Sequence, residues 1–177
     1  MRLLPFAAFA IISLSGCATA KDPVLAPLLD SIERRLTLAE AVALHKWDNQ
    51  QPVQASLREA QVLSNVRALA PGHDLAPLRA EAFFVDQIEA SKLVQYTLLS
   101  RWHANGRAPD TQRSDLQQTI RPRLDALQTE LLDRLARFHQ QPPENCDATL
   151  ALALAHRPVD ALTRQALVRA TGQLCDK

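Results

Sequence analysis

The chain is poor in glycine and carries almost no net charge, and both features limit the fold classes and functions that it can have. Its 177 residues include only 4 glycines, and the net charge is +1. Because nucleic-acid binding requires a clustered excess of basic residues, the charge balance gives no reason to expect it. Few glycines beside abundant alanine and leucine favour helix throughout the chain. Any cationic site in this protein must therefore be a local feature.

Several signature motifs of enzymes are also missing. The sequence has no phosphate-binding P-loop, no G-x-S-x-G nucleophile motif and no H-E-x-x-H metal motif. The five histidines show no metal-ligand spacing and are interpreted as surface or capping residues. No two carboxylates are set as a pair on one helical stripe. Hydrolysis and phosphoryl transfer have no support, and neither a metal nor a cofactor is predicted.

Residues 1–20 are predicted to be an export signal. Arg2 precedes an apolar run over residues 3–14, which is shorter than the about 20 residues of a membrane-spanning helix. An A-x-A sequence at residues 18–20 predicts a mature chain that begins at Lys21. Alternatively, Leu14-Ser15-Gly16-Cys17 matches a bacterial lipobox and predicts a lipid anchor on Cys17. Either processing places residues 21–177, as one domain, in the periplasm or outside the cell.

Export also changes how the cysteines are interpreted. Cys17 leaves with the signal or carries the lipid, so Cys146 and Cys175 remain as a pair in an oxidising compartment. A disulfide between them is favoured, and the alternative is two buried free thiols. Neither cysteine belongs to a C-x-x-C motif, so the pair has no evident catalytic role.

Apolar positions repeat at helical spacing along nearly the whole domain. Prolines, glycines and polar stretches divide it into predicted helices at about 25–46, 56–69, 75–103, 116–138, 147–156 and 159–174. Ser56 and Asp74 are predicted as N-caps of the second and third helices. No stretch alternates as a strand does. The predicted fold is an all-α bundle of five to six helices.

Three cations stand out against this apolar pattern: Arg35, Lys46 and Arg58. Eleven residues at about 100° each make three turns plus about 20°, so Arg35 and Lys46 share one face of the first helix. Arg58 begins the second helix, where the helix dipole also attracts anions. Together they could bind one small dianion. The alternative is an ordinary solvated helix face.

Two neutral hydrogen-bond donors lie on the inner stripe of the third helix. Ser91 and Gln95 share a face with apolar Phe84, Ile88 and Leu98. A buried amide without a partner costs about 1–3 kcal/mol, so either a ligand or an inter-helix hydrogen bond is expected. Cations and neutral donors, with no obvious base or nucleophile, indicate a site that binds and polarises an anion.

Three segments in this order resemble the all-helical chorismate mutases. They are ERRLTLAEAVALHKWDNQQPV from Glu33, LREAQVL from Leu57 and DQIEASKLVQY from Asp86, within a match over roughly residues 24–103. The exported members are most similar, with their cleavable signal and C-terminal disulfide. The resemblance implies rearrangement of chorismate to prephenate, in the shikimate pathway of aromatic amino acid biosynthesis, without a cofactor. It also implies a homodimer with each site inside one chain.

The resemblance implies roles for the cations and for Gln95. Arg35 and Arg58 match the arginines that bind the substrate carboxylates. Lys46 matches a lysine that contacts a carboxylate and the ether oxygen, and Gln95 matches a second donor to that oxygen. These two are the predicted catalytic residues. Arg121, on the fourth helix, matches a further arginine of the exported members.

The remaining site residues follow from the same resemblance. Ser91 matches a small hydroxyl that contacts the substrate, and Glu59 matches an acidic residue near the ring hydroxyl. Ala55 stands where the family often has an acidic residue, so that polar contact is expected to be absent.

A non-catalytic alternative is an exported helical module whose cations bind an anionic ligand or partner. Ser91 and Gln95 distinguish the two interpretations, since a surface-binding module has no reason to place donors on a core stripe. The enzyme is therefore the favoured interpretation.

Overall fold

The computed structural model describes residues 22–176, and every regular element in this part of the chain is helical. Its six α-helices are α1 Leu25–Asp48, α2 Ser56–Leu69, α3 Pro77–Asn105, α4 Arg121–Gln140, α5 Cys146–Ala155 and α6 Ala161–Ala170. A 3₁₀ turn at Ala70–His73 follows α2, and a π turn at Leu116–Ile120 precedes α4. The predicted all-α fold is confirmed for these residues. The predicted export signal and Cys17 lie outside them.

The core lies between the long helices α1, α3 and α4, with α6 packed against them. Each contributes an apolar stripe at helical spacing, as an amphipathic helix must to bury one face. None of the described helices is both long and apolar enough to cross a membrane. The fully buried side chains that define this core include Leu28, Leu29, Ile32, Phe84, Leu131, Leu132, Leu135 and Leu167.

Helices α1 and α4 run antiparallel, as two contacts along their length show. Near the start of α1, the Ser31 hydroxyl donates to Glu130 Oε1 at 2.9 Å, in the middle of α4. Farther along α1, Leu38 packs with Ile120 and Leu116, which come before or at the start of α4. The interior of α1 therefore faces the first half of α4.

Helix α2 is the most exposed of the longer helices. Of its residues only Val66 is buried, and α2 lies along α3. Its N-terminal half and the preceding connection, residues 49–55, are therefore available to form the wall of a cavity.

The two predicted helix caps are wrong. Ser56 lies inside the first turn of α2, and Ala55 occupies the N-cap, where its N–H donates to Glu59 Oε1 at 2.9 Å. Asp74 ends the 3₁₀ turn in the left-handed conformation, with φ 57°. Helix α3 begins instead at Pro77, whose fixed φ and missing N–H suit the first helical position.

Helix α6 is anchored to α3 by buried polar contacts. The carboxylate of Asp86, 2% exposed, accepts hydrogen bonds from Arg169 and from the backbone N–H of Gln173 at 3.0 Å. The neighbouring Gln87 donates to the carbonyl of Ala170 at 2.7 Å. These bonds hold the C-terminal end of α6 against the middle of α3.

A disulfide joins Cys146, the first residue of α5, to Cys175 beyond α6, with 5.7 Å between the Cα atoms. This confirms the predicted pairing. The bridge spans a sequence separation of 29 and ties the last two helices to each other.

We expect the disulfide to stabilise the fold. Closing a loop of this length contributes about 3–4 kcal/mol on the chain-entropy model. Because 1 kcal/mol corresponds to about 2–4 °C for a chain of this size, a Cys146→Ser, Cys175→Ser variant should melt roughly 10 °C lower. Reductant should lower the melting temperature of the wild type but not of this variant. Two titratable thiols in native protein, or equal melting temperatures, would contradict the prediction.

Candidate active site

A cavity of about 240 Å³ lies between α1, α2, α3 and the start of α4. Among the charged or polar residues that line it, α1 and α2 contribute two each, and α3 and α4 contribute three each. The structure thus brings every predicted site residue to one cavity within a single chain: Arg35, Lys46, Arg58, Glu59, Ser91, Gln95 and Arg121.

Arg35 is the most deeply placed cation at the cavity. Its side chain is 8% exposed, and Nη1 donates to the backbone carbonyl of Gln87 at 2.9 Å. Burial, together with the nearby charge of Arg58, lowers the pKa of Arg35 to about 10. The guanidinium therefore stays charged at neutral pH. A neutral carbonyl orients that charge without compensating it, so the site favours an anion.

Lys46 lies near the end of α1, where the chain turns back over the cavity. It is also 8% exposed, and its ammonium donates to the carbonyl of Val53 in the connection to α2. Burial lowers the pKa of Lys46, the charge of Glu59 raises it and the charge of Lys92 lowers it further. Since the lowering prevails, the charged form of Lys46 is less stable than that of an ordinary lysine.

Gln95 is a buried amide that is only partly satisfied. It is 5% exposed, and Nε2 donates to Ser91 Oγ at 3.2 Å, within α3. The expected alternative, a hydrogen bond to another helix, is not found in the described residues. Its Oε1 is buried without a protein partner. Because the amide nitrogen carries two hydrogens and the bond to Ser91 uses one, the other N–H is available to a molecule in the cavity.

Glu59 is held by three donors. Oε1 accepts from the N–H of Ala55, and Oε2 accepts from Gln54 Nε2 at 2.9 Å and from Lys92 Nζ at 3.5 Å. Lys92 also pairs with Glu89 at 2.6 Å. Although burial acts in the opposite direction, these two carboxylates raise the pKa of Lys92 and keep it charged. The site thus contains a lysine that sequence analysis missed. Ala55 lines the cavity, where its side chain offers only a methyl group.

The two outer arginines already have partners on or near α4. Arg58 Nη2 donates to Asp125 Oδ1 at 2.6 Å, and Arg121 Nη1 donates to Gln117 Oε1 at 2.6 Å. The Asp125 side chain is 56% exposed, so its ion pair is open to exchange with a substrate carboxylate. Such exposed pairs contribute only about 0–1 kcal/mol, which makes the exchange inexpensive.

Two residues of α4 that were not predicted from the sequence, Asp125 and Gln128, also line the cavity. With Arg121 they occupy positions i, i+4 and i+7, which share one helix face. That spacing was a usable signal, because Gln128 interrupts a stripe that is otherwise mostly apolar. Only the packing of α4 against α1 shows that this face borders the site.

The arrangement can bind a small polyanion and stabilise developing negative charge. Its two acidic side chains, Glu59 and Asp125, are each within ion-pair distance of a cation. Within residues 22–176, no group of three His, Cys, Asp or Glu side chains is placed to hold a metal ion. Binding and polarisation by fixed donors are what these residues can do.

Comparisons with known proteins identify the family. A family model for chorismate mutase type II matches residues 26–96. The chain is 30% identical to the secreted chorismate mutase of Mycolicibacterium smegmatis, over 96% of this chain and 98% of that protein. It is also 30% identical to the secreted chorismate mutase of Mycobacterium tuberculosis, over 85% of this chain and 78% of that protein.

Comparison with solved structures indicates the same family. The chorismate mutase of Burkholderia phymatum superposes with a TM-score of 0.83 and 40% identity, covering 87% of this chain and 97% of that one. The enzyme of Burkholderia thailandensis gives 0.79 and 33%, covering 87% and 100%. Since the similarity to the secreted chorismate mutases extends over most of the chain, the protein belongs to the chorismate mutase family.

Proposed function

We propose that the cavity binds chorismate and rearranges it to prephenate, which makes the protein an isomerase. The observation that carries this proposal is the convergence of five cations and of the neutral donors Ser91 and Gln95 on one cavity. Chorismate has two carboxylates, and its pericyclic rearrangement needs neither a proton transfer nor a covalent intermediate. A site of oriented cations without an unpaired base suits that chemistry.

The first task of the site is to hold the substrate in its compact diaxial conformer, which is an orientation effect. Arg35 binds one carboxylate deep in the cavity, where its buried charge has no ion-pair partner among the described residues and therefore attracts an anion. Arg58 and Arg121 bind carboxylate nearer the opening, and Arg58 exchanges Asp125 for the substrate. Two anchors at different depths select the compact form over extended ones.

The second task is to stabilise negative charge that grows on the ether oxygen as the C–O bond breaks. Lys46 has three N–H donors, of which one is used by Val53, and Gln95 keeps one N–H beyond its bond to Ser91. Both groups are held before the reaction begins, so they stabilise the transition state without reorganisation. Ser91 and Glu59 contact the substrate, with Glu59 accepting a hydrogen bond from the ring hydroxyl.

A location outside the cytoplasm is supported by the relatives, which are named secreted chorismate mutases. The Cys146–Cys175 disulfide suits an oxidising compartment. A lipid anchor on Cys17 and a homodimer with each site inside one chain are further parts of the proposal. A cavity lined by one chain is compatible with such a dimer.

The central test is chorismate consumption by purified mature protein, followed by ultraviolet absorbance. Arg35→Ala, Lys46→Ala and Arg58→Ala should each lower kcat/KM by about 100-fold or more, the scale for loss of one preorganised donor. Arg123→Ala, at an exposed position beside the site, is the matched control and should keep full activity. Melting curves confirm that each variant is folded. Near-wild-type turnover by Lys46→Ala would rule out the mechanism.

Gln95 gives a sharper test through pH. An amide donates at any ordinary pH, so the wild-type rate should be nearly flat from mildly acidic to mildly alkaline pH. In Gln95→Glu only the neutral acid donates. A glutamate starts from a pKa of about 4.3, which burial raises and nearby cations lower. The rate of the variant should therefore rise towards acid pH and fall on the alkaline side.

The comparison is made below the pH at which Lys46 loses its proton, because that loss inactivates both proteins. Gln61→Glu, on the exposed face of α2, is the control and should keep the wild-type profile. Superimposable profiles for Gln95→Glu and wild type would show that Gln95 does not contact the developing charge.

Processing is tested by intact mass of the native protein. The mature chain should begin at Lys21, or at Cys17 with the added mass of lipid. Cys17→Ser removes the acceptor and should abolish that added mass. A native species that retains Met1 would contradict export.

A further inference from the structure

Gln128 is an unexplained polar residue at the cavity. It lies on α4, is 7% exposed and lines the cavity. No side-chain hydrogen bond joins it to the described residues. Its amide atoms are also not among the buried polar atoms sealed away without a partner, which are the Oε1 atoms of Gln87 and Gln95. The amide of Gln128 therefore opens onto the cavity itself.

The other buried polar groups of the cavity differ from Gln128 in this respect. Arg35, Lys46 and Gln95 each donate to a protein oxygen. Because the amide of Gln128 opens onto the cavity and has no partner among the described residues, its hydrogen bonds are available to the molecule that fills the cavity.

The antiparallel packing of α1 and α4 shows which other side chain lies near that amide. Ser31 lies opposite Glu130. Arg35 is one turn after Ser31 along α1, and Gln128 is two residues before Glu130 along α4. Because the helices are antiparallel, both steps lead in the same direction in space. Gln128 and Arg35 therefore stand at nearly the same depth, within about one helical turn of each other.

We infer that Gln128 is a further substrate-binding residue, whose amide N–H donates to the same chorismate carboxylate that Arg35 binds. The inference rests on the proposed function. Arg35 supplies charge from α1, and Gln128 supplies a neutral donor from α4, so the carboxylate is held from both walls. An amide suits this position because a second cation beside Arg35 would add to the cost of burying like charges.

The test compares Gln128→Leu and Gln128→Glu with Gln140→Leu, an exposed control on the same helix. The carboxylate is present in the ground state and in the transition state alike, so losing its donor should raise KM with little change in kcat. We expect Gln128→Leu to raise KM about tenfold or more, the scale for a hydrogen bond to a charged group. Its melting temperature should be unchanged or higher, because in the part of the chain that the structure describes the side chain makes no hydrogen bond that the substitution would remove.

Gln128→Glu sets a carboxylate against the substrate carboxylate. Its KM should rise further at neutral pH and recover towards acid pH as the new side chain is protonated. A purely structural glutamine gives the opposite pattern in Gln128→Leu, with a lower melting temperature and an unchanged KM. That result would overturn the inference.

Equilibrium binding of prephenate, which also carries two carboxylates, reports the contact without turnover. Weaker binding by Gln128→Leu than by wild type and Gln140→Leu supports the inference, and equal affinities overturn it. A wild type that binds prephenate but does not consume chorismate overturns the proposed function alone. A wild type that does neither overturns both.

Discussion

The rest of the site depends on two buried cations, neither of which makes an ion pair within residues 22–176. Arg35 and Lys46 are each 8% exposed, and each donates to a neutral backbone carbonyl, from Gln87 and Val53. Taking a charge out of water costs several kcal/mol unless an opposite charge compensates it. The carbonyls fix the direction of the two side chains without neutralising their charge, and only the charge of Glu59 stabilises Lys46 in part. Affinity for a dianion is the direct consequence.

Those two carbonyls belong to parts of the fold that are themselves restrained. Gln87 is held where α3 meets α6, because its side chain donates to Ala170 and its neighbour Asp86 accepts from Arg169. The disulfide ties α5 to the turn beyond α6. The C-terminal helices thus support the orientation of Arg35 although none of their residues lines the cavity.

The carbonyl of Val53 lies in the connection between α1 and α2, which has no regular structure to stiffen it. Gln54 and Glu59, on either side of the start of α2, are both bonded to Lys92 of α3. This network holds the connection against α3 and thereby supports the contact to Lys46. A neutral acceptor thus positions each of the two buried cations. A network of charged side chains, away from the reacting atoms, keeps that acceptor in place.

The sequence by itself determined the helices and which candidate site residues share a helix face, because both follow from a single period. Spacing near 3.6 residues predicted bounds for α1 to α4 that are close to those observed. It also put Arg35 with Lys46, and Ser91 with Gln95, on common helix faces. Helix caps at Ser56 and Asp74 were predicted wrongly, since a cap depends on local backbone geometry and Pro77 starts α3 later.

Only the tertiary structure decided which faces meet. The ion pair of Arg58 with Asp125, the network around Lys92 and the depth of Gln128 all join residues from different helices. Such contacts depend on the packing of one helix on another, which periodicity within each helix does not specify. The sequence therefore determined which functional groups lie on each helix face. The antiparallel packing of α1 and α4 decided that these faces enclose one cavity.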